Sequence, residues 1–298
     1  MPRVILYLIL VILVGCTTTR SITNSGKVTP KGNLVVGGSY AINVPTQTIT
    51  SIGSALSKSI TEYAKYDTIR PDATFDRINK ASISYALDPI DAGFNFFVRY
   101  GVVKRFDIGY KRSFGANIFD CQYQFMGSTG YINDPEAEKL YGSIGLQYSS
   151  QDISYLSFLK KLDNRLNFEF ARKDLMIPLI LSFAFGNEET FGSVSAGLAY
   201  THSWIAYSTN PVNVFDFKNT TLMAMSHHQQ YSSLGAFLNF KLGYKRVYVI
   251  PSLAFFYQKY GEYELLSTKT VLLKGVTIIP AIALQLRIGR SQQKTKKS

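Results

Sequence analysis

The sequence has 298 residues, of which 46% are hydrophobic, and its 32 lysines and arginines against 20 aspartates and glutamates give a formal charge of +12. The hydrophobic content excludes a wholly disordered chain. Charged residues make up 17% of the chain, while glycine, tyrosine and phenylalanine are abundant, and this composition fits a cytosolic enzyme or a helical bundle poorly.

Residues 1–15 are predicted to be a signal peptide, because a basic residue precedes an apolar run that is too short to span a bilayer, which needs roughly 20 residues. The motif LVGC, which ends at Cys16, resembles the lipobox of bacterial lipoproteins. The resemblance implies cleavage before Cys16 and a covalent lipid on its thiol. Thr17 stands where an Asp would resemble an inner-membrane retention signal, and this implies sorting to the outer membrane.

Residues 16–32 consist mostly of Thr, Ser, Asn, Gly and Lys, and we expect them to form a flexible, solvated tether. If Cys16 carries a lipid, the mature chain keeps one further cysteine, Cys121. No intramolecular disulfide is then possible.

The chain from residue 33 to about residue 290 alternates apolar and polar residues with a period of two, which predicts strands. In 276–288, seven consecutive same-face positions are apolar, so this strand is longer than the usual five or six residues of a soluble sheet. Ten strands are predicted at 33–44, 92–101, 106–114, 117–126, 140–149, 176–186, 192–206, 231–243, 246–259 and 276–288. Adding 81–88 and 263–273 gives twelve strands as the alternative. Helical spacing of apolar residues at 49–64, and again at 152–163, predicts one or two short helices in long loops.

The two faces of these strands differ in composition. One face is Leu, Ile, Val, Phe and Tyr with almost no charge, and the other combines small residues with isolated polar groups, as the narrow interior of a closed barrel requires. We therefore predict an all-β, closed, antiparallel transmembrane β-barrel. Aromatic residues at strand ends suggest a girdle at the membrane interface, formed by Tyr100, Tyr148, Trp204, Tyr207, Tyr257 and Tyr260.

Six charged side chains are predicted to line the lumen. They are the basic residues Arg99, Lys111, Lys241 and Arg287 and the acidic residues Asp107 and Asp120. Four basic groups against two acidic ones predict a positive lumen that favours anions. Large inward side chains would fill part of it, namely Phe97, Phe237, Tyr248 and Phe256.

Loop lengths provide an independent test of the ten-strand register, since outer-membrane barrels alternate short periplasmic turns with long outer loops. If the lipidated N-terminus is periplasmic and the first strand runs outward, most long connections fall on the outer side. Residues 291–298 form a basic C-terminal tail beyond the barrel.

Two segments resemble outer-membrane β-barrel proteins of Gram-negative bacteria, many of which are small and functionally uncharacterised. The run RYGVVKRFDIGY at 99–110, followed by DCQYQF at 120–125, resembles a recurrent hairpin and strand of that group. The run YVIPSLAFFY at 248–257 is similar to its penultimate strand, with Ser252 in place of a frequent acidic residue. The resemblance implies a barrel fold and supplies no catalytic residues.

No motif for chemistry emerges, and we expect neither an enzyme nor a metal or other cofactor apart from the lipid on Cys16. The histidines are His202, His227 and His228, and alternation places Ser203 on the opposite face from its neighbour His202, so these two cannot form a catalytic pair. The expected function is a narrow channel, or else a structural or surface-exposed component of the outer membrane. The alternatives are a lipid-modifying enzyme of that membrane and a soluble, lipid-anchored β-sandwich that binds a ligand. Expected partners are outer-membrane lipids and the machineries for barrel assembly and lipoprotein sorting, and nucleic acid is not among them.

Overall fold

The computed structural model describes residues 20–66, 71–113, 116–128, 139–153, 168–209, 225–264 and 270–289. The signal peptide, the lipidation site Cys16 and the tail 291–298 lie outside the described residues. Within these ranges the chain forms ten strands and two α-helices, together with a single 3-10 turn at Asn187–Glu189. The strands are β1 (Leu34–Pro45), β2 (Asp91–Val103), β3 (Phe106–Ser113), β4 (Ala116–Met126), β5 (Leu140–Ile153), β6 (Phe168–Phe185), β7 (Gly192–Thr209), β8 (Met225–Tyr244), β9 (Val247–Glu264) and β10 (Thr270–Ile288).

The ten strands form one closed sheet. Each strand pairs antiparallel with its neighbour in the chain, and β1 pairs with β10 from Leu34 opposite Ile288 to Pro45 opposite Thr277. The predicted closed, ten-stranded, antiparallel transmembrane barrel is therefore confirmed. The β-sandwich alternative is wrong, because the strands do not divide into two stacked sheets.

Both candidate strands of the twelve-strand alternative have other structures. Residues 81–88 belong to helix α2 (Pro71–Leu87) and the turn after it. Of residues 263–273, the first two end β9, the last four begin β10, and 265–269 lie outside the described residues. The helix predicted at 49–64 is present as α1 (Thr46–Tyr66). Of the segment 152–163, the first two residues end β5 and the others lie outside the described residues. Neither helix in the described part of the chain has the length and apolar content to cross a membrane.

Three of the four connections at one end of the barrel are short, and the three longest connections lie at the other end. We call the end with the turns Lys104-Arg105, 127–139, 186–191 and Lys245-Arg246 the inner end. The opposite, outer end has the connection 46–90, which contains both helices, and the further connections 114–115, 154–167, 210–224 and 265–269. β1 begins at the inner end and β10 finishes there, so the even strand number brings both ends of the sheet to the same side.

The outer wall is an apolar belt, as the period-two pattern predicts. On β9, side chains from Val247 to Tyr260 alternate strictly between exposed and buried, because successive residues of a strand point to opposite faces. Exposed apolar side chains continue around the barrel, among them Phe94, Phe119, Leu146, Leu181, Leu198, Leu238, Phe255 and Leu284. Such a surface is stable against lipid tails and costly in water.

The predicted girdle requires aromatic side chains that point outward, and four of its members do so while Tyr260 does not. Tyr100, Tyr148, Trp204 and Tyr257 are exposed on the outer wall. Tyr260 is 1% exposed and points into the lumen, since it lies an odd number of residues from Tyr257 and alternation puts the two on opposite faces. The side chain of Tyr207 lies outside the described residues.

The register generates a prediction for two leucines of β10 that both point outward. Leu284 lies in the belt, opposite Val249, while Leu272 lies beyond Lys274 and opposite Glu262, near the outer rim. Leu284→Arg should lower the free energy of unfolding by about 1–3 kcal/mol, because an arginine within the apolar belt must be desolvated, and Leu272→Arg should change it by less than about 1 kcal/mol. Urea unfolding in lipid vesicles measures both variants. Equal losses of unfolding free energy in the two variants would show that Leu284 does not lie deeper in the apolar belt than Leu272.

Candidate functional site

Residues 20–32 run through the lumen of the barrel, so the predicted solvated tether is wrong for this part of the segment. Their side chains are mostly buried, including those of Arg20, Ile22, Lys27 and Thr29. The segment is polar because the lumen around it is polar, and not because it lies in water. Residues 16–19 lie outside the described residues.

The barrel wall satisfies the backbone of this lumen segment through side chains of five strands. The amide of Val28 donates to Gln124 Oε1 at 3.1 Å, and that of Thr29 donates to Asp107 Oδ2 at 2.7 Å. Buried backbone groups need such partners when they belong to no sheet or helix. Further bonds to segment carbonyls come from Gln122 to Ser25 (2.7 Å), Asn239 to Asn24 (3.0 Å), Ser252 to Ile22 (2.8 Å) and Lys111 to Ser21 (3.1 Å).

Two glycines allow the segment and the wall to approach closely. A Cβ at Gly101 of β2 would lie 2.2 Å from the carbonyl oxygen of Pro30, and one at Gly26 would lie 2.8 Å from that of Tyr141. Both distances are shorter than van der Waals contact, so side chains at these positions would displace the segment. The wall is therefore shaped for a chain at this place.

Apolar contacts add to these bonds at mid-lumen. Ile22 belongs to a buried cluster with Phe237 and Phe256, two of the inward aromatic side chains that the sequence predicts, and with Met176 and Ile180 of β6. The other two predicted inward aromatics, Phe97 and Tyr248, pack together nearer the inner end. A cavity of about 40 Å³ remains between the segment and the wall, and this space suits a few water molecules.

The structure places all six predicted lumen charges inside the barrel and gives each a polar partner there. The sequence had not identified most of these partners. Arg99 forms ion pairs with both Asp107 and Asp120. Lys111 donates to the hydroxyl of Ser21 at 2.8 Å. Lys241 and Arg287 both contact Glu189, at 2.9 and 2.5 Å.

Seven further charged groups inside the barrel were missed. They are Arg20, Lys27, Asp88, Arg172, Asp174, Glu188 and Glu189. With them, the described lumen has seven basic groups and six acidic ones, so the predicted excess of basic over acidic groups falls from two to one. Composition offers no signal for the five that lie in the lumen segment and the connections, because a polar tether, a polar turn and a polar lumen contain the same residue types. Arg172 and Asp174 were missed because β6 begins at Phe168, eight residues before the predicted strand 176–186.

At the inner end, two consecutive glutamates turn into the lumen. Glu188 and Glu189 have backbone φ angles of 55° and 56°, in the left-handed region, and both side chains are buried. Tyr248 donates its hydroxyl to the Glu189 carbonyl at 3.1 Å, which helps to hold this turn. Glu188 forms an ion pair with Lys27 of the lumen segment. The turn between β6 and β7 thus fixes the part of the lumen segment around Lys27, near the inner end of the barrel.

At the outer end, Asp88 is the centre of a buried network. Its carboxylate accepts bonds from Arg20 (3.1 Å), Gln258 (2.7 Å) and Tyr260 (2.8 Å). Nearby, Arg172 pairs with Asp174 at 2.8 Å and donates to the carbonyl of Leu87, the last residue of α2, also at 2.8 Å. The outer connection, the barrel wall and Arg20 of the N-terminal segment therefore meet at one point.

The pKa values of the Asp88 and Glu189 carboxyls reflect these contacts. Burial by itself would raise the pKa of Asp88 and of Glu189. For Asp88, the charges of Arg20 and Arg172 and the hydrogen bonds from Thr277 and Asn43 outweigh burial and hold the pKa below its usual 3.8. For Glu189, the charges of Lys241, Arg287 and Lys27 lower the pKa well below its usual 4.5.

His202 makes a contact that the sequence could not show. Ser203 points into the lumen, as expected, but Ser232 lies directly opposite on β8, with its Oγ 3.1 Å from His202 Nδ1. The Tyr200 hydroxyl is 2.8 Å from the same Oγ, and the Trp204 ring packs edge-on against the imidazole at 4.6 Å between centroids. Among the described residues, no carboxylate orients this imidazole, so the four side chains form a hydrogen-bonded cluster at the outer edge of the belt. No group of three or more His, Cys, Asp or Glu side chains in the described ranges could hold a metal ion.

The sequence matches no protein-family model and no curated protein. Several solved structures are similar in fold. The Yersinia pestis attachment invasion locus protein Ail shares 10% identity at a TM-score of 0.29, covering 86% of this chain and 99% of its own. The Pseudomonas aeruginosa outer membrane protein OprG shares 8% identity at a TM-score of 0.30, covering 90% and 100%. The Escherichia coli outer membrane protease OmpT shares 10% identity at a TM-score of 0.37, covering 90% and 99%. The barrel fold that the resemblance implies is confirmed by the strand pairing of this chain itself.

The ion pairs of Glu189 at the inner end of the barrel generate a prediction for the pH dependence of stability. Because the pKa of Glu189 is lowered in the native state, its contribution to stability is complete above about pH 4.5 and is lost as the pH falls below that value. Glu189→Gln should lower the free energy of unfolding at neutral pH by about 3–5 kcal/mol, since two cations lose their counter-charge, and should flatten the acid dependence between about pH 5 and pH 3. Denaturant unfolding in detergent micelles over this pH range measures both effects. Glu262→Gln, at an exposed position of β9, should match the parent, and an acid limb as steep in Glu189→Gln as in the parent would refute the assignment.

Proposed function

We propose that this chain is an outer-membrane lipoprotein whose barrel is closed by its own N-terminal segment, and that it acts as a structural or surface-exposed component without a transport pathway. The observation that carries the proposal is the bonded passage of residues 20–32 through the lumen. Of the two functions that the sequence left open, a filled lumen favours the second.

Three features argue against a narrow channel. The lumen segment lies along the barrel axis and bonds to side chains of β3, β4, β6, β8 and β9. The inward aromatics at mid-lumen occupy space beside it. At the outer end, Leu87 packs with Ile205, Tyr231, Tyr260, Tyr263 and Leu273 across the mouth. A solute would have to displace all three, and the buried charges that face the lumen already have partners within it.

The outer end offers a surface suited to display. Helices α1 and α2 pack together, and Thr48 of α1 donates to the carbonyls of Ser84 and Asp88 at 2.9 and 2.7 Å. α1 also packs against β1 and β10, where the Val276 amide donates to the Thr46 hydroxyl at 3.0 Å. The helical pair is thus held to the rim of the barrel. Exposed apolar side chains on α1, such as Leu56 at 62%, would face the medium outside the cell.

Localisation and lipidation follow from the outer wall and the lipobox together. An apolar belt around a closed antiparallel sheet requires a bilayer, and the motif ending at Cys16 supports a thioether-linked lipid at that residue. A chain with both features would depend on the barrel-assembly and lipoprotein-sorting machineries and would contact outer-membrane lipids. Neither a catalytic activity nor a nucleic-acid partner forms part of this proposal.

The closed lumen predicts no steady conductance from the full chain in planar bilayers. Deletion of residues 21–31 should produce stepwise conductance, because the polar wall side chains are then left facing water. Heat-modifiable mobility on unboiled gels checks that the variant folds, and deletion of residues 211–221 from an outer connection is the matched control, which should stay silent. The double variant Arg20→Ala, Lys27→Ala keeps the chain length, removes both ionic contacts of the segment and should open briefly. Steady conductance from the parent would contradict a closed barrel. A folded 21–31 deletion that stays silent would contradict closure by the N-terminal segment and leave the inward aromatic side chains and the Leu87 cluster as the barrier.

Lipidation predicts that the protein incorporates radiolabelled palmitate in bacteria that process lipoproteins. Cys16→Ala should abolish incorporation, since no other thiol lies in a lipobox. Cys121→Ala is the matched control and should label like the parent. Labelling that persists in Cys16→Ala would remove lipidation from the proposed function.

A further inference from the structure

The lumen segment has a direction, and it runs opposite to β1. Lys31 bridges Gly101 near the inner turn that joins β2 and β3, and Thr29 bonds Asp107 at the start of β3. Ile22 reaches Ser252 near the middle of β9, and Arg20 reaches Asp88 at the outer end. Going backwards along the chain from β1, the backbone therefore climbs from the inner end of the barrel to the outer end.

The position of Arg20 relative to the apolar belt follows from the β9 residues beside it. Its partner Asp88 accepts from Gln258 and Tyr260, whose side chains point inward from β9. On the outer face of the same stretch, Tyr257 is the last apolar side chain before Lys259, which is exposed. Arg20 thus lies level with the outer edge of the apolar belt.

We infer that the chain enters the barrel from the outer surface and that the lipid on Cys16 belongs to the outer face of the membrane. This inference rests on the proposed lipidation of Cys16 and on the long connections facing outward. The chain from Cys16 to Arg20 makes four Cα–Cα steps, and a fully extended chain spans at most about 3.6 Å per step, or roughly 14 Å in total. The belt is about 25 Å tall and the sheet is closed, so an acyl chain attached at Cys16 cannot reach the inner leaflet.

The inference reverses the expectation that the lipidated end is periplasmic, and it sets an order of assembly. A lipid-bearing end cannot be pulled through a lumen that is already filled by hydrogen-bonded chain and aromatic side chains. The segment must therefore lie against the open sheet before β1 and β10 pair along the seam from Leu34 opposite Ile288 to Pro45 opposite Thr277. The two ion pairs that hold it, at Asp88 and at Glu188, form at opposite ends of the barrel as the seam closes.

Single cysteines test which end of the barrel the chain leaves. In a Cys121→Ser background, Thr19→Cys reports on the N-terminal end and Arg246→Cys on the inner turn between β8 and β9. A membrane-impermeant maleimide is applied to intact cells and, separately, to permeabilised cells. Thr19→Cys should react in intact cells to at least half of its extent after permeabilisation, whereas Arg246→Cys should react after permeabilisation alone. An antibody epitope inserted between Thr18 and Thr19 gives a second readout of the same exposure.

Palmitate incorporation is measured on the same cells, so that the inference and the proposed function can fail separately. Labelling of Thr19→Cys in intact cells, together with palmitate incorporation, supports a lipid at the outer face. Palmitate incorporation with labelling of Thr19→Cys after permeabilisation alone overturns the inference and leaves the lipoprotein proposal standing. Labelling in intact cells without palmitate supports the outward exit and overturns lipidation. Labelling of Arg246→Cys in intact cells overturns the orientation and the inference with it.

Discussion

Charges inside a narrow barrel must find their counter-charges there, and this constraint governs the structure. An unpaired buried ion costs several kcal/mol, so each cation of the wall has to meet a carboxylate or a backbone carbonyl. The wall alone does not satisfy this requirement. Lys111 bonds to Ser21 of the lumen segment, and Glu188 is neutralised by Lys27 of the same segment. The lumen segment is therefore a part of the barrel interior on which the stability of the sheet depends.

The same requirement joins the two ends of the barrel to its contents. At the inner end, the strained turn of Glu188 and Glu189 brings two carboxylates to three cations, two from the wall and one from the segment. At the outer end, Asp88 gathers Arg20 together with wall groups from β9 and β10. The turn with Glu188 and Glu189 and the connection with Asp88 would be solvated in a water-facing protein, but here they hold the two ends of the lumen segment. Removal of either carboxylate would leave cations without counter-charges at one end of the lumen.

The sheet could be predicted from the sequence, and the contents of the barrel could not. The alternation that predicts 276–288 or 106–114 is a direct consequence of strand geometry, because one face meets lipid and the other does not, and most strand limits agree within a few residues. Residues 20–32 have no such pattern. Their Ser, Thr, Asn and Lys side chains suit water and a polar lumen equally well. Asp88 and Glu189 were missed for the same reason, since a polar residue in a connection gives no sign of which way it turns. The pairing of His202 with Ser232 depends on the register between two strands 30 residues apart, which composition does not reveal.

The direction of the lumen segment connects these features. A segment that entered from the inner end would need a reversal of the chain inside the lumen before β1, whereas this segment turns once, near Gly32, whose φ of 78° lies in the left-handed region that glycine adopts readily. That single turn converts a descending chain into the ascending first strand. Because β1 then pairs with both β2 and β10, the turn also fixes the segment to the seam at which the barrel closes. Closure of the sheet and enclosure of the segment are thus one structural event, and the position of Arg20 at the outer edge of the belt follows from it.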